Sequence, residues 1–254
     1  MEEVDVYLPK DVKRVCESTD FEHVYVLGGR CGYGCENVDS FTLARERAEQ
    51  FSYKVHYQGA FIKESGVEKM EDTWWGKVIR HFEGELLCCN AFSGCMVSGH
   101  RDDGIRFPSA ASDERIDDLC SAGIPDILMI YLGTNDWNNL IETDDFEEPW
   151  WQTFNGAYDH MLSELRKRLP ETDIWCMNLT YSQNMKFHFY PAEFRRMQDF
   201  NQVISKTAKC YGAKVIDLWT KAAEYTSSDL AHADREGMAK IADAIISTVT
   251  SIDF

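Results

Sequence analysis

A carboxylate and an imidazole lie three positions apart near the end of the chain, as Asp229 and His232. A carboxylate close to an imidazole can fix its tautomer and stabilise its charged form, which is what a general base requires. Taken alone, Asp229 could equally cap a turn and His232 could be an ordinary surface histidine. The spacing therefore indicates acid–base chemistry only if other polar groups converge on the same place.

Two further segments could donate hydrogen bonds to a developing oxyanion. Asn135 lies in the Gly-Thr-Asn-Asp stretch 133–136, directly after an apolar run, where a side-chain amide can point into a cleft. Gly94 follows another apolar run, and a glycine there lets a ligand approach the backbone and offers its N–H. Both segments are also rich in turn formers, so each alone is typical of a plain strand-to-loop turn.

Short apolar runs predict the strands that must carry these segments. Their apolar character is continuous rather than alternating, which is typical of parallel strands that are buried on both faces. The predicted strands are His23–Leu27, Glu85–Cys89, Asp126–Leu132, Asp173–Leu179 and Ala213–Leu218. We expect the polar segments to follow the carboxyl ends of these strands.

Amphipathic patterns between the strands predict helices. The clearest ones place apolar residues at i, i+3 and i+4 over 154–169, which stops at Pro170, and over 238–249. Further candidates are Thr73–Phe82, Ser112–Cys120 and Phe194–Cys210. Strand–helix alternation predicts a three-layer α/β/α sandwich with a five-stranded parallel sheet and ligand chemistry at the carboxyl ends of the strands.

Length and charge narrow the possible functions. The 254 residues predict a single domain over 1–254, with an N-terminal extension over 1–20 and an irregular insertion over 31–71. A net charge of −17 argues against nucleic acid as a partner. The sequence has no apolar run long enough for a membrane span and no secretion signal, and its nine cysteines lack zinc spacing. We therefore expect a cytoplasmic protein that does not associate with a membrane and that uses neither a metal nor an organic cofactor.

The combination of these segments resembles the SGNH hydrolases, also called the GDSL esterase/lipase family. Gly94 resembles the glycine block of that family, 133–136 its Gly-x-Asn-Asp block, and 229–232 its Asp-x-x-His block. The stretches 72–76 and 107–116 also resemble a bacterial subgroup. The resemblance implies a flavodoxin-like fold, Asp229 orienting His232 as the base, and Gly94 and Asn135 as oxyanion donors.

The family's Gly-Asp-Ser block, which supplies the serine nucleophile, is absent from this sequence. After the first predicted strand the chain instead reads Gly-Gly-Arg-Cys-Gly over 28–32. A register without a gap places Arg30 in the nucleophile slot, and Arg30 is a permanent cation that cannot attack an acyl group. A shift of one residue places Cys31 there, where a nearby base could activate the thiol. We favour Arg30, and Ser40 in the Asp-Ser pair 39–40 is a weaker candidate.

Three hypotheses about function follow from these alternatives. The chain could hydrolyse small esters or acylated sugars through Cys31, or it could keep the fold and only bind a carbohydrate or an anion at Arg30. The glycine-rich loop 28–34 also permits a phosphate binder, although it lacks a Walker lysine.

Trp137 and the pair 150–151 could line a sugar site, but tryptophan more commonly lies in the core or at the rim of a site. The oligomeric state is left open.

Overall fold

The computed structural model describes residues 24–28, 65–91, 95–99, 109–144 and 149–251. For 24–28 it describes the backbone, which forms a strand. Asp229, His232 and Asn135 are among the described residues. Arg30, Cys31, Ser40 and Gly94 lie outside them. Their assignments therefore remain predictions.

The described strands form one parallel sheet, which confirms the predicted α/β class. The strand order is β2-β1-β3-β4-β5, with every neighbouring pair parallel. The strands are β1 (Val24–Gly28), β2 (Leu86–Cys89), β3 (Ile127–Tyr131), β4 (Asp173–Met177) and β5 (Lys214–Ile216). Since all of them run in the same direction, their carboxyl ends lie at one edge of the sheet.

The helices of the described residues lie close to the predicted positions. They are α1 (Trp74–His81), α2 (Asp113–Ser121), α3 (Thr134–Asn138), α4 (Phe154–Arg168), α5 (Gln183–His188), α6 (Pro191–Cys210), α7 (Leu218–Lys221) and α8 (Arg235–Thr250), with 3₁₀ turns at Met70–Asp72 and Trp150–Gln152. None of the described helices is both long and apolar enough to cross a bilayer. The short helices α3, α5 and α7 follow the carboxyl ends of strands, where apolar periodicity gives no signal.

Two groups of helices cover the sheet. α1 packs against α8, whereas α4 contacts both α2 and α6. The central strand β3 is buried along its whole length, with Leu128, Met129 and Ile130 fully inaccessible. A strand covered on both faces by helices needs an uninterrupted apolar sequence, which explains why β3 gave the clearest pattern.

The turn after β3 depends on one glycine. Gly133 has φ +113° and ψ −12°, a conformation that L side chains rarely adopt, and it immediately precedes α3. A Cβ at this position would lie 2.9 Å from Cζ of Phe154, which is buried in α4. The turn therefore fixes where α3 begins, and with it the position of Asn135.

We expect Gly133→Ala to lower the free energy of unfolding by about 2–3 kcal/mol, because it combines a strained backbone with a steric overlap. Gly212→Ala is the matched control, since Gly212 also has positive φ (+65°) but a Cβ there would meet nothing within 4 Å. The control should cost only about 1 kcal/mol. Urea unfolding of both variants measures the difference, and equal losses would contradict the steric part of the argument.

Candidate active site

Asp229 and His232 form a direct pair in the loop between α7 and α8. The carboxylate Oδ2 lies 2.6 Å from the imidazole Nδ1, with both side chains about one quarter exposed (22% and 27%). The other carboxylate oxygen, Oδ1, accepts the backbone N–H of Ala231 at 2.8 Å and that of His232 at 2.6 Å. With the Nδ1 proton donated to the carboxylate, Nε2 is the ring nitrogen that can accept a proton from a substrate.

The charge state of Asp229 suits this arrangement. Burial would raise the pKa of its carboxyl, but hydrogen bonds from the His232 side chain and backbone and from the Ala231 backbone outweigh it, so that the pKa lies below its ordinary value. The carboxylate is therefore ionised at neutral pH. An ionised partner fixes the imidazole tautomer and stabilises the imidazolium that forms when the ring takes up a proton.

The loop that carries the pair is closed at its base. Thr226 Oγ1 donates to Asp234 Oδ1, and the Asp234 N–H returns a bond to the Thr226 carbonyl at 3.1 Å. The Asp234 carboxylate also caps α8 by accepting the Gly237 N–H at 2.8 Å. The Asp234 carboxylate thus fixes both ends of the loop, since it accepts from Thr226 before the loop and from Gly237 in the first turn of α8.

Asn135 lies on α3, at the carboxyl end of β3. Its amide Nδ2 donates to the Cys95 carbonyl at 2.7 Å. Cys95 is the residue directly after Gly94, so this bond ties the Gly-x-Asn-Asp block to the glycine block that the sequence pointed to. The structure therefore joins Asn135 to the neighbourhood of the second expected oxyanion donor.

A second carboxylate, Asp136, reinforces that connection. It is fully buried and accepts the Val97 N–H at 2.9 Å, the Ser98 N–H at 2.9 Å and the Ser98 hydroxyl at 2.6 Å. Burial raises the pKa of this carboxyl, and the bonds from Ser98 and Val97 oppose the shift. Sequence reasoning did not single out Asp136, although an acidic residue next to Asn135 at a strand end was the available signal.

A buried arginine holds the other side of the same loop. Arg115 in α2 is 1% exposed and donates to Asn90 Oδ1 through Nε at 2.9 Å and to Cys95 Sγ through Nη1 at 2.5 Å. Burial raises the pKa of the Cys95 thiol, and the guanidinium opposes that effect. Sequence reasoning missed this contact, because an arginine in an amphipathic helix ordinarily indicates a solvent-exposed face.

The tryptophans do not form an open sugar-binding wall in the described residues. Trp137 is 4% exposed and its indole N–H donates to the Glu193 carbonyl at 3.1 Å, so it belongs to the core. Trp150 is half-buried and stacks on His160 with ring centroids 4.0 Å apart. Trp151 is also half-buried, and its carbonyl accepts the Gly99 N–H.

Among the sequence-predicted site residues, the structure brings Asp229 to His232 and Asn135 to the segment that follows Gly94. Both groups follow carboxyl ends of the same parallel sheet. The described residues contain no group of three or more His, Cys, Asp or Glu side chains that could hold a metal ion. These contacts place a carboxylate-held imidazole after one strand of the sheet and a hydrogen-bonded side-chain amide after another.

Comparison with solved structures identifies proteins of the same fold. A GDSL-like lipase from Bacteroides uniformis is 20% identical with a TM-score of 0.60, and the match covers 91% of this chain and 96% of that one. A carbohydrate acetylesterase from Sinorhizobium meliloti is 11% identical with a TM-score of 0.57, over 91% and 99% of the two chains. An active-site mutant of a family two carbohydrate esterase from Clostridium thermocellum is 13% identical with a TM-score of 0.54, over 91% and 63%.

Sequence comparison with curated proteins finds no match. The profile of the GDSL-like lipase/acylhydrolase family, in contrast, matches residues 39–249, a range that contains Asn135, Asp229 and His232 but begins after Arg30 and Cys31. Since this match spans most of the sequence and agrees with the parallel sheet and the Asp229–His232 pair, the chain belongs to the GDSL-like lipase/acylhydrolase family.

Proposed function

We propose that this chain carries an ester- or acyl-hydrolase site whose activity on small esters or acylated carbohydrates is lost or altered, because the usual serine nucleophile is missing. The observation that carries the proposal is the 2.6 Å contact between the Asp229 carboxylate and the His232 imidazole. A charged acid in hydrogen-bond contact with an imidazole is the base half of a nucleophilic hydrolase site.

The proposed roles follow from this geometry. Asp229 orients His232, and His232 acts as the general base through Nε2. Asn135 and Gly94 donate hydrogen bonds to the oxyanion that forms when a carbonyl is attacked. The bond from Asn135 to the Cys95 carbonyl supports the pairing of these two donors, because it holds the chain next to Gly94 against α3.

The nucleophile slot decides whether the site turns over substrate. With Arg30 in the slot, a carbonyl carbon would meet a guanidinium that carries no attacking lone pair at any ordinary pH, so the site would only bind. The family match begins at residue 39 and leaves this segment uncovered, while it includes Ser40. We favour Arg30 because the ungapped register keeps the spacing between β1 and the loop.

The alternative is a thiol-dependent esterase that uses Cys31. His232 would take the thiol proton, and the thiolate sulfur would attack the ester carbonyl. The alcohol would leave with the proton returned by His232, and water would then hydrolyse the thioester to release the acid. The contact between the Asp229 carboxylate and the His232 imidazole supports this route, since it is the arrangement that stabilises the imidazolium once the ring has taken up the thiol proton.

For the substrate class we propose a small ester or an acylated sugar. Two of the similar folds are carbohydrate esterases, and their similarity to this chain extends over more than nine tenths of its length. Fold similarity at this identity supports a class of substrate and no individual compound. Neither a nucleic acid nor a membrane is part of the proposal, since the net charge of −17 disfavours polyanions.

We expect purified wild-type protein to turn over p-nitrophenyl acetate slowly or not at all, and Arg30→Ser to gain activity, because serine restores a nucleophile beside the base. Cys31→Ala and Ser40→Ala are the matched variants. Loss of wild-type activity in Cys31→Ala would support the thiol route, and loss in Ser40→Ala would identify the hydroxyl at that position. Robust wild-type turnover that survives all three substitutions would contradict the proposed slot.

We further expect any turnover, in wild type or in Arg30→Ser, to depend on His232. His232→Ala should lower kcat/KM by about 100-fold or more, the usual contribution of a general base. Initial rates with p-nitrophenyl acetate and an acetylated sugar measure this. His160→Ala is a control at a histidine that stacks on Trp150 and is remote in sequence from the pair. Equal rates for wild type and His232→Ala would refute the proposed base.

The lowered pKa of Asp229 predicts how stability depends on pH. A carboxyl whose pKa is lower in the folded than in the unfolded chain contributes stability above its unfolded pKa, and that contribution is lost as pH falls through the folded value. Between about pH 6 and about pH 3, wild type should therefore lose more free energy of unfolding than Asp229→Asn. Urea unfolding at each pH tests this, with Asp243→Asn on the exposed face of α8 as the control. Parallel curves for wild type and Asp229→Asn would contradict it.

A further inference from the structure

The loop 227–232 is held in shape mainly by side chains. Every backbone carbonyl from 229 to 232, and that of Ser227, accepts a side-chain hydrogen bond. Two of the donors lie in or directly before the loop: Tyr225 donates its hydroxyl to the Ala231 carbonyl, and Ser227 donates to the His232 carbonyl at 2.6 Å. The remaining donors come from another part of the chain.

Those donors are Ser182 and Asn184, at the start of α5 after β4. Ser182 is fully buried, and its hydroxyl donates to the Leu230 carbonyl at 2.5 Å. The Asn184 amide donates to the Asp229 carbonyl and to the Ser227 carbonyl, the latter at 3.2 Å. These two side chains therefore hold the main-chain carbonyls of Ser227, Asp229 and Leu230.

The backbones of the two segments are also paired. Ser182 and Tyr225 form an isolated parallel bridge, in which the Gln183 N–H donates to the Tyr225 carbonyl at 3.0 Å and the Tyr225 N–H donates to the Tyr181 carbonyl at 3.3 Å. This pairing ends at Tyr225, before the loop begins. From there to Leu230, the hydrogen bonds that connect the loop to the start of α5 are donated by Ser182 and Asn184.

We propose that Ser182 and Asn184 are positioning residues for the Asp229–His232 pair. This inference rests on the proposed function for its catalytic meaning, although its geometric part can be measured without turnover. The Asp229 carboxylate only accepts hydrogen bonds, from the imidazole and from the loop's own N–H groups, so it cannot hold the Asp229 carbonyl. Within the loop, the Asp229 N–H donates to Ser227 Oγ at 3.3 Å. The donors at the start of α5 add the restraint that comes from outside the loop.

The expected consequence of losing the restraint is a displaced carboxylate. If the main chain of Asp229 moves, the 2.6 Å contact to Nδ1 lengthens and the imidazole turns away from the orientation that a substrate needs. A misplacement of about 1 Å can cost about 100-fold in rate even though the moved residue does not touch substrate. Substrate binding should change little, because both donors act on main-chain carbonyls of the loop.

Asn184→Ala is the decisive variant, because Asn184 is only half-buried and the hydrogen bonds its amide donates to described residues both end on this loop. Gln183→Ala, at the exposed neighbouring position of the same helix, is the matched control. Ser182→Ala is less informative, since the Ser182 hydroxyl also caps α5 by accepting the Met185 N–H at 3.0 Å.

Two measurements do not require enzymatic activity. The first is amide hydrogen exchange at Ala231 and His232, whose N–H groups are held by the Asp229 carboxylate. The second is the downfield proton NMR signal of the Asp229–His232 hydrogen bond, assigned by its absence in His232→Gln. In Asn184→Ala we expect faster exchange at these two amides and a weakened signal, with thermal stability matching Gln183→Ala.

The third measurement is kinetic and uses whichever protein turns over ester, wild type or Arg30→Ser. Asn184→Ala should lower kcat by about 10- to 100-fold with KM nearly unchanged. If neither protein turns over ester, the proposed function fails, and the exchange and NMR measurements still decide the positioning role.

Asn184→Asp provides a second test at constant size. It replaces the amide donor with carboxylate oxygens, which repel the two carbonyl oxygens that they face. The rate of amide exchange at Ala231 and His232 should therefore exceed the rate in Asn184→Ala. Unchanged exchange and an unchanged proton signal in both variants would overturn the proposal. Equal effects in Gln183→Ala would also overturn it, since they would show that any change in α5 loosens the loop.

Discussion

The candidate site depends on the hydrogen bonds that the Asp229 carboxylate accepts. A partly buried negative charge is stable only when donors replace the water it loses, and here the Ala231 and His232 N–H groups and the imidazole supply them. These bonds fold the loop around the carboxylate and fix the tautomer of His232 at the same time. The loop conformation and the chemistry of the pair are therefore one arrangement, since the same oxygens serve both.

A second carboxylate, Asp136, organises the backbone beside Asn135, and it is more deeply buried than Asp229. Asp136 is fully buried and its hydrogen bonds hold the backbone at Val97 and Ser98, whereas Asp229 is partly exposed and holds an imidazole. Burial raises the pKa of Asp136, while hydrogen bonds lower that of Asp229. The two carboxylates follow β3 and β5, so the parallel sheet determines that both stand at its carboxyl edge. Each of these two segments is thus fixed by a buried or half-buried acid.

The strands and long helices could be predicted because their sequences contain continuous or periodic apolar runs. Predicted bounds were least accurate at helix starts: α6 begins at Pro191 and not at Phe194, and α8 begins at Arg235 and not at Met238. α6 begins with a proline at its first position, and α8 begins after the Asp234 cap, and neither signal is part of the apolar periodicity. The pairing of Asp229 with His232 was also predicted, because three residues of spacing in one loop bring the two side chains within reach of each other.

The sequence by itself determined the α/β class, the approximate strands and the identity of Asp229, His232 and Asn135 as the polar groups at strand ends. Only the tertiary structure decided which side chains support them: Arg115 on Cys95, Asp136 on Ser98, and Asn184 on Asp229. The physical reason is that apolar patterning and motif spacing are local properties of the chain. A hydrogen bond between residues about forty positions apart depends on how strands, helices and turns pack, and no local pattern in the sequence records it.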